Sequence, residues 1–194
     1  MRILLGVLII LVIGFTSCEG RKTQSRALAE SIEEFKKSAT LEIDVYHPKT
    51  YVEREIDTLL SNGYRIKIKA YSDMENSVLL TKIKDTINYQ IYYRNYKFNI
   101  LVEKEGKLIY NENFDKLKAN IALDYRANYT SDSQLYNFDK LAVLKSIQVN
   151  NDLSLSNIVA IDIMFAIPET NKYTSHRLFI NEKGKSNFVQ IEVK

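Results

Sequence analysis

From Leu41 onward the apolar residues of this chain recur at every second position, a spacing that belongs to strands. Tyr64, Ile66 and Ile68 alternate with Arg65, Lys67 and Lys69, and Val159, Ile161, Ile163, Phe165 and Ile167 form a second, uniformly large and apolar row. A period of two sends alternate side chains to opposite faces of a strand, so each stretch offers one face to a core. Thirteen Tyr, eight Phe and abundant Ile and Val suit a pleated surface. The expected fold is mainly β, or α+β. Its antiparallel sheets form a sandwich, a curled sheet or an open barrel, with a short N-terminal helix and one short helix near 139–147.

Turn chemistry punctuates the pattern. Ser61-Asn62-Gly63 sits between apolar positions, and Asn-Gly between strands is a strong hairpin signal. Asp73-Met74-Glu75-Asn76 reads as a further turn, and Lys84-Asp85-Thr86 separates strands at 78–83 and 89–93. Glu103-Lys104-Glu105-Gly106-Lys107 and Asn181-Glu182-Lys183-Gly184-Lys185 share one pattern, expected to be a type I turn with a glycine bulge. Pairing Glu103 with Lys107 sets Val102 opposite Leu108 and Ile100 opposite Tyr110. Residues 126–137 are polar and aperiodic, as a long loop would be. The C-terminal part reads as a three-strand meander over 158–167, 173–180 and 187–193. Pairing Ile163 with Leu178 would set His176 opposite Phe165 and Asp162 diagonal to Arg177.

The N-terminal end follows different rules. Met1-Arg2 is a positive start, residues 3–15 are an unbroken apolar run, and Thr16-Ser17-Cys18 closes it with small residues. That is the layout of a secretory signal. As a helix the run spans only ~20 Å, short of the roughly 20 apolar residues that a membrane span needs. Residues 15–18 resemble the lipobox of bacterial lipoproteins: Thr16, Ser17 and Cys18 fit it, and Phe15 stands where leucine is usual. The resemblance implies a cut between Ser17 and Cys18 and acylation of Cys18 with chains such as palmitate. Two or more acyl chains anchor stably, at ~0.8 kcal/mol per buried methylene. The expected organisation is a signal over 1–17, a tether over 18–25 and one mainly β domain over 26–194. Leu28, Ile32, Phe35 and Ala39 make one face of a helix over 26–39, expected to pack on that domain. Cys18 is the only cysteine, so no internal disulfide can form and the fold rests on its core.

Composition excludes some functions. A net charge of +3 is too small to argue for nucleic acid. No glycine-rich phosphate loop or G-x-S-x-G elbow occurs, and the carboxylates are too scattered to nominate an acid/base pair. His47 and His176 stand alone, whereas zinc needs three or four ligands, so no metal and no cofactor is expected. Asp162 interrupts the most apolar strand and reads as the partner of Arg177. The run YQIYYRNYKF over 89–98 is the most distinctive interior stretch. Its Tyr92, Arg94, Tyr96 and Lys97 could form a platform that stacks a sugar or a base, against the plainer reading of tyrosines lining a sheet. Asp57-Thr58-Leu59 and Asp85-Thr86-Ile87 look like an O-glycosylation tripeptide of some Gram-negative envelopes.

Residues 55–116, with Ser61-Asn62-Gly63-Tyr64, the IKIK strand, the tyrosine-rich strands and the Lys104-Glu105-Gly106 hairpin, resemble a family of small Gram-negative lipoproteins known only as a domain of unknown function. The resemblance implies location and fold and carries no activity. The expected protein is a non-enzymatic envelope lipoprotein, anchored through Cys18 to the outer membrane on its periplasmic or surface face. It would work by binding or assembly with an envelope protein, a lipid or a glycan. The alternative is a lipid or glycan carrier that holds its ligand in the concavity of a curled sheet, similar in this to lipoprotein-sorting factors.

Overall fold

Two long strands, β3 (Tyr64–Lys84) and β4 (Ile87–Lys104), run side by side through the first of two antiparallel sheets. A computed structural model describes residues 24–38, 41–85, 87–151 and 157–194. The expected signal, Ser17, Cys18 and most of the expected tether lie outside those residues, as do Thr86 and Asp152. The first sheet adds β1 (Leu41–His47), β2 (Glu53–Leu59) and β5 (Lys107–Phe114) in the order β1-β4-β3-β2, with β5 also paired to β4. The second sheet contains β6 (Val143–Asn150), β7 (Ile158–Ala166), β8 (Tyr173–Asn181) and β9 (Ser186–Val193), in sequence order. The fold is mainly β, not closed into a barrel.

The chain divides into two compact units. One takes the chain up to Glu42 with Ile83–Asn88; the other takes Ile43–Lys82 with Tyr89–Lys194. The first holds helix α1 (Gln24–Ser38), formed where the periodicity places it. Its apolar stripe is thin among glutamates and lysines, and Leu28 and Ile32 are 61% and 45% exposed rather than packed away. The side chain of Phe35 and all of Ala39 lie outside the described residues. Among those residues no helix is long and apolar enough to cross a membrane.

The second unit is a sandwich. Tyr64, Ile66 and Ile68 of β3 share one buried cluster with Ile161 and Ile163 of β7 and Leu178 and Ile180 of β8. All seven side chains are at most 2% exposed. Each such burial contributes about 1.5–3 kcal/mol. The basic partners of the β3 row stay outside: Arg65 and Lys69 are exposed and pair with Asp57 and Glu53 across the β2–β3 hairpin at 2.8 Å each. Gly63 closes that hairpin with φ +83 and donates to the Leu60 carbonyl at 3.0 Å. A left-handed turn residue is what Asn-Gly supplies.

Several local expectations need correction. Asp73-Met74-Glu75-Asn76 does not reverse the chain; β3 runs through it. The turn-like bonds are real: Asp73 Oδ1 accepts from the amides of Glu75 and Asn76 at 3.1 and 3.3 Å. They arise within a strand that continues on both sides of the stretch. The 103–107 hairpin is one residue tighter than expected: Lys104 pairs with Lys107, and Val102 with Tyr110 past a bulge. Glu105 accepts φ +49 beside Gly106 at +78, a two-residue turn whose twist suits the strands. The look-alike at 181–185 keeps the longer form, with Gly184 N donating to the Asn181 carbonyl at 2.9 Å. Helix near 139–147 is a single turn, α3 (Phe138–Leu141), and the rest is β6. Leu144, Ile147 and Val149 serve a strand that pairs with β7. The segment between β5 and α3 also holds α2 (Lys116–Ala122), capped by the Asp115 carboxylate on Lys118 N at 2.8 Å.

In the meander the faces are as expected and the register is not. Ile163 pairs with His176 and Ile161 with Leu178, two residues from the expected pairing. A slip of two keeps every side chain on its face. Val159, Ile161, Ile163, Phe165 and Ile167 are all buried, at 6% exposure or less.

Candidate functional site

The structure distributes the four residues of the expected stacking platform over three places. Tyr92 stacks on Tyr46 of β1, with ring centroids 4.6 Å apart. Arg94 lays its guanidinium 4.7 Å from the same Tyr46 ring. Its Nε donates to the Pro48 carbonyl at 3.1 Å and its Nη1 to the Met74 carbonyl at 2.6 Å. Those contacts tie Arg94 to its own chain. Lys97 pairs with Asp73 at 3.2 Å. Burial alone would raise the Asp73 carboxyl, but hydrogen bonds from Asn76, the Glu75 amide and Lys97 hold it below its ordinary value. Tyr96 packs against the core instead. Along β4 the buried positions are odd at Ile91 and Asn95 and even at Phe98, Ile100 and Val102, so Tyr96 lies on the side that is buried further along the strand.

Asp162 stands directly opposite Arg177, which donates to it twice, at 2.6 and 3.0 Å. Asn150 Nδ2 adds a third bond at 3.0 Å. Burial pushes the carboxyl up, and these three donors outweigh it to leave the pKa lowered. This is the ion pair that the sequence suggested. His176 is buried on the inner face, 3.0 Å from the Tyr125 hydroxyl, which also bonds Thr174. Burial lowers the imidazole to about 4. His47 ends β1 and stacks on Tyr93 at 5.2 Å. Thr58, in one of the glycosylation-like tripeptides, pairs with buried Ile66. Among the described residues no three His, Cys, Asp or Glu side chains could hold a metal ion.

A further concavity among the described residues lies elsewhere, between the end strands of the two sheets. β2 ends the first sheet and β6 ends the second. Between them lies a cleft of about 590 Å³. Its lining is mixed: Ile56, Ile68, Ala70 and Tyr96 on one side and Leu144 and Ile147 on the other are apolar, and Arg54, Glu55, Lys145, Ser146 and Gln148 complete it. Register explains the arrangement. Ile56 pairs with Ile68 and Arg54 with Ala70, so Arg54 shares the inward face of β2. Glu55, the next residue of β2, is paired with Lys69 at 3.3 Å and also borders the cleft. On β6, Leu144 pairs with Phe165 and Ile147 with Ile163, and both point inward. Lys145 is the extra residue of a bulge between Leu144 and Ser146. Such bulges on edge strands re-aim a side chain; here Lys145 is among the residues that line the cleft. Reading 139–147 as helix hid this site. The alternation Leu144, Ile147, Val149 was broken by the bulge, so no simple period revealed β6.

Comparison with protein-family models and with curated proteins finds no match for the chain in either.

Proposed function

We propose that this chain is a non-enzymatic envelope lipoprotein, held to a membrane by acyl chains on Cys18. Its folded part acts by non-covalent binding in the cleft between β2 and β6. The observation that carries the reading is that cleft, about 590 Å³ and lined by apolar side chains of both sheets together with a few polar ones, in a sandwich whose centre is filled. Ligand sites are concavities of roughly 300–1,000 Å³ with apolar walls and a few placed polar groups. The filled centre also bears on the carrier reading. Ile163 is 1% exposed, so the odd-numbered face of β7 serves the core and offers no lined concavity. The lipobox-like Thr16-Ser17-Cys18 supports the anchor.

Mass spectrometry of the protein purified from envelopes tests both halves. The chain should begin at Cys18 and carry acyl mass, and native spectra should show a non-covalent occupant that denaturation releases. Ile147→Asp should abolish the occupant while the circular dichroism spectrum stays β-rich. A chain that starts elsewhere, or an unmodified Cys18, contradicts the anchor. A wild-type protein without any occupant contradicts the binding reading.

A further inference from the structure

We infer that the edge cleft takes a single acyl chain ending in a carboxylate, a fatty acid, with Arg54 and Lys145 receiving the head group. The inference rests on the cleft being the binding site and adds the chemical class of its ligand. Three observations lead there. The walls offer aliphatic and aromatic surface from both sheets, through Ile56, Ile68, Tyr96, Leu144 and Ile147. That is a lining for a chain of methylenes. Second, the charges that line the cleft are unequal in availability. Glu55 lines it too, but its carboxylate is paired with Lys69 at 3.3 Å. Arg54, opposite Ala70, and Lys145, at the β6 bulge, line the cleft and are exposed. Among the described residues neither makes an ion pair or a side-chain hydrogen bond. A guanidinium fork matches a carboxylate with two parallel hydrogen bonds, and an ammonium beside it adds a point charge.

Third, both edges are poorly suited to the other elongated occupant, an added peptide strand. The bulge at Lys145 breaks the regular row of β6 backbone groups, and β2 presents Glu53-Arg54-Glu55 in succession. Charges and bulges of this kind keep edge strands from pairing with another chain. Edge protection alone explains charged residues on these two strands, but it does not call for a cleft with apolar side chains between them.

Photoaffinity labelling of the protein purified from envelopes tests the inference. The probes are diazirine-bearing palmitate and the matching palmityl alcohol, with adducts mapped by peptide mass spectrometry. Palmitate should label the segments around Ile56, Tyr96 and Ile147, at least about tenfold more than the alcohol does, a factor that corresponds to about 1.4 kcal/mol. Arg54→Gln with Lys145→Gln should remove that difference while leaving alcohol labelling unchanged. These two positions are exposed, so the fold is not at stake. Equal labelling by acid and alcohol in the wild type would overturn the role of the cations. Labelling confined to other surfaces, or none, would overturn the inference altogether. Were native spectra to show a peptide or glycan occupant instead, the binding reading would stand and this one would fall.

Discussion

Asp162 and Arg177 face each other across β7 and β8, joined by two hydrogen bonds at 2.6 and 3.0 Å, on the face opposite the core. One residue further along, Ile163 points the other way and is 1% exposed. Adjacent positions therefore test the two faces of the strand. Ile163→Ala should cost about 2–5 kcal/mol, as buried aliphatic truncations do. Asp162→Ala should cost less, about 1–2 kcal/mol, since the pair is only partly screened from water and one charge loses its partners. Urea unfolding of the two variants measures the order; the reverse order would place Asp162 inside.

Gly184 and Gly106 look alike in sequence and differ in surroundings. A Cβ on Gly184 would sit 2.0 Å from the carbonyl oxygen of Ile109, whereas one on Gly106 meets nothing within 4 Å. Both have positive φ, +72 and +78. Gly106→Ala should therefore cost only the conformational penalty, about 1–2 kcal/mol. Gly184→Ala adds a backbone collision between the β8–β9 turn and β5 and should lose clearly more. Denaturant midpoints compared under one set of conditions check this.

Stability should fall in acid before the carboxylates titrate. The imidazole of His176 is held to about 4 in the fold by burial, against 6.5 when free. Above 6.5 it is neutral in both states, and its contribution is complete. As the pH drops from 6.5 towards 4 the unfolded chain takes up the proton first, and up to about 3 kcal/mol is lost. His176→Gln should flatten the stability–pH curve across that window. An unchanged slope would mean that the imidazole is not kept neutral by its burial.

Cys18→Ala should release the protein from membranes or leave it misprocessed, without changing the circular dichroism of the folded part. Reducing agent should leave stability unchanged, since Cys18 is the only cysteine. Fractionation and thermal unfolding report the two effects separately.

Much of the fold was legible because burial and alternation coincide. Tyr64, Ile66 and Ile68 read as core and are core; Gly63 and Gly184 close hairpins where their sequences place them. What failed to be legible shares a cause: irregular strand. The Asp73 stretch has turn chemistry inside a continuous strand, β4 changes the parity of its buried face between Asn95 and Phe98, and the bulge at Lys145 disguises β6. Each interrupts a period of two that local pattern alone cannot restore; pairing with a neighbouring strand does. The candidate site lies at one of these interruptions. The tyrosine-rich run looked like a platform because its residues are adjacent in sequence, while the cleft is assembled from strands distant in sequence, β2 and β6.

The most direct measurement is amide hydrogen exchange of the protein with and without saturating palmitate. Occupation of the edge cleft should slow exchange over 54–56 and 144–148. It should leave β9, the opposite edge of the second sheet, unchanged. Protection at β9 instead, or no protection at either cleft edge with palmitate bound, would contradict the account.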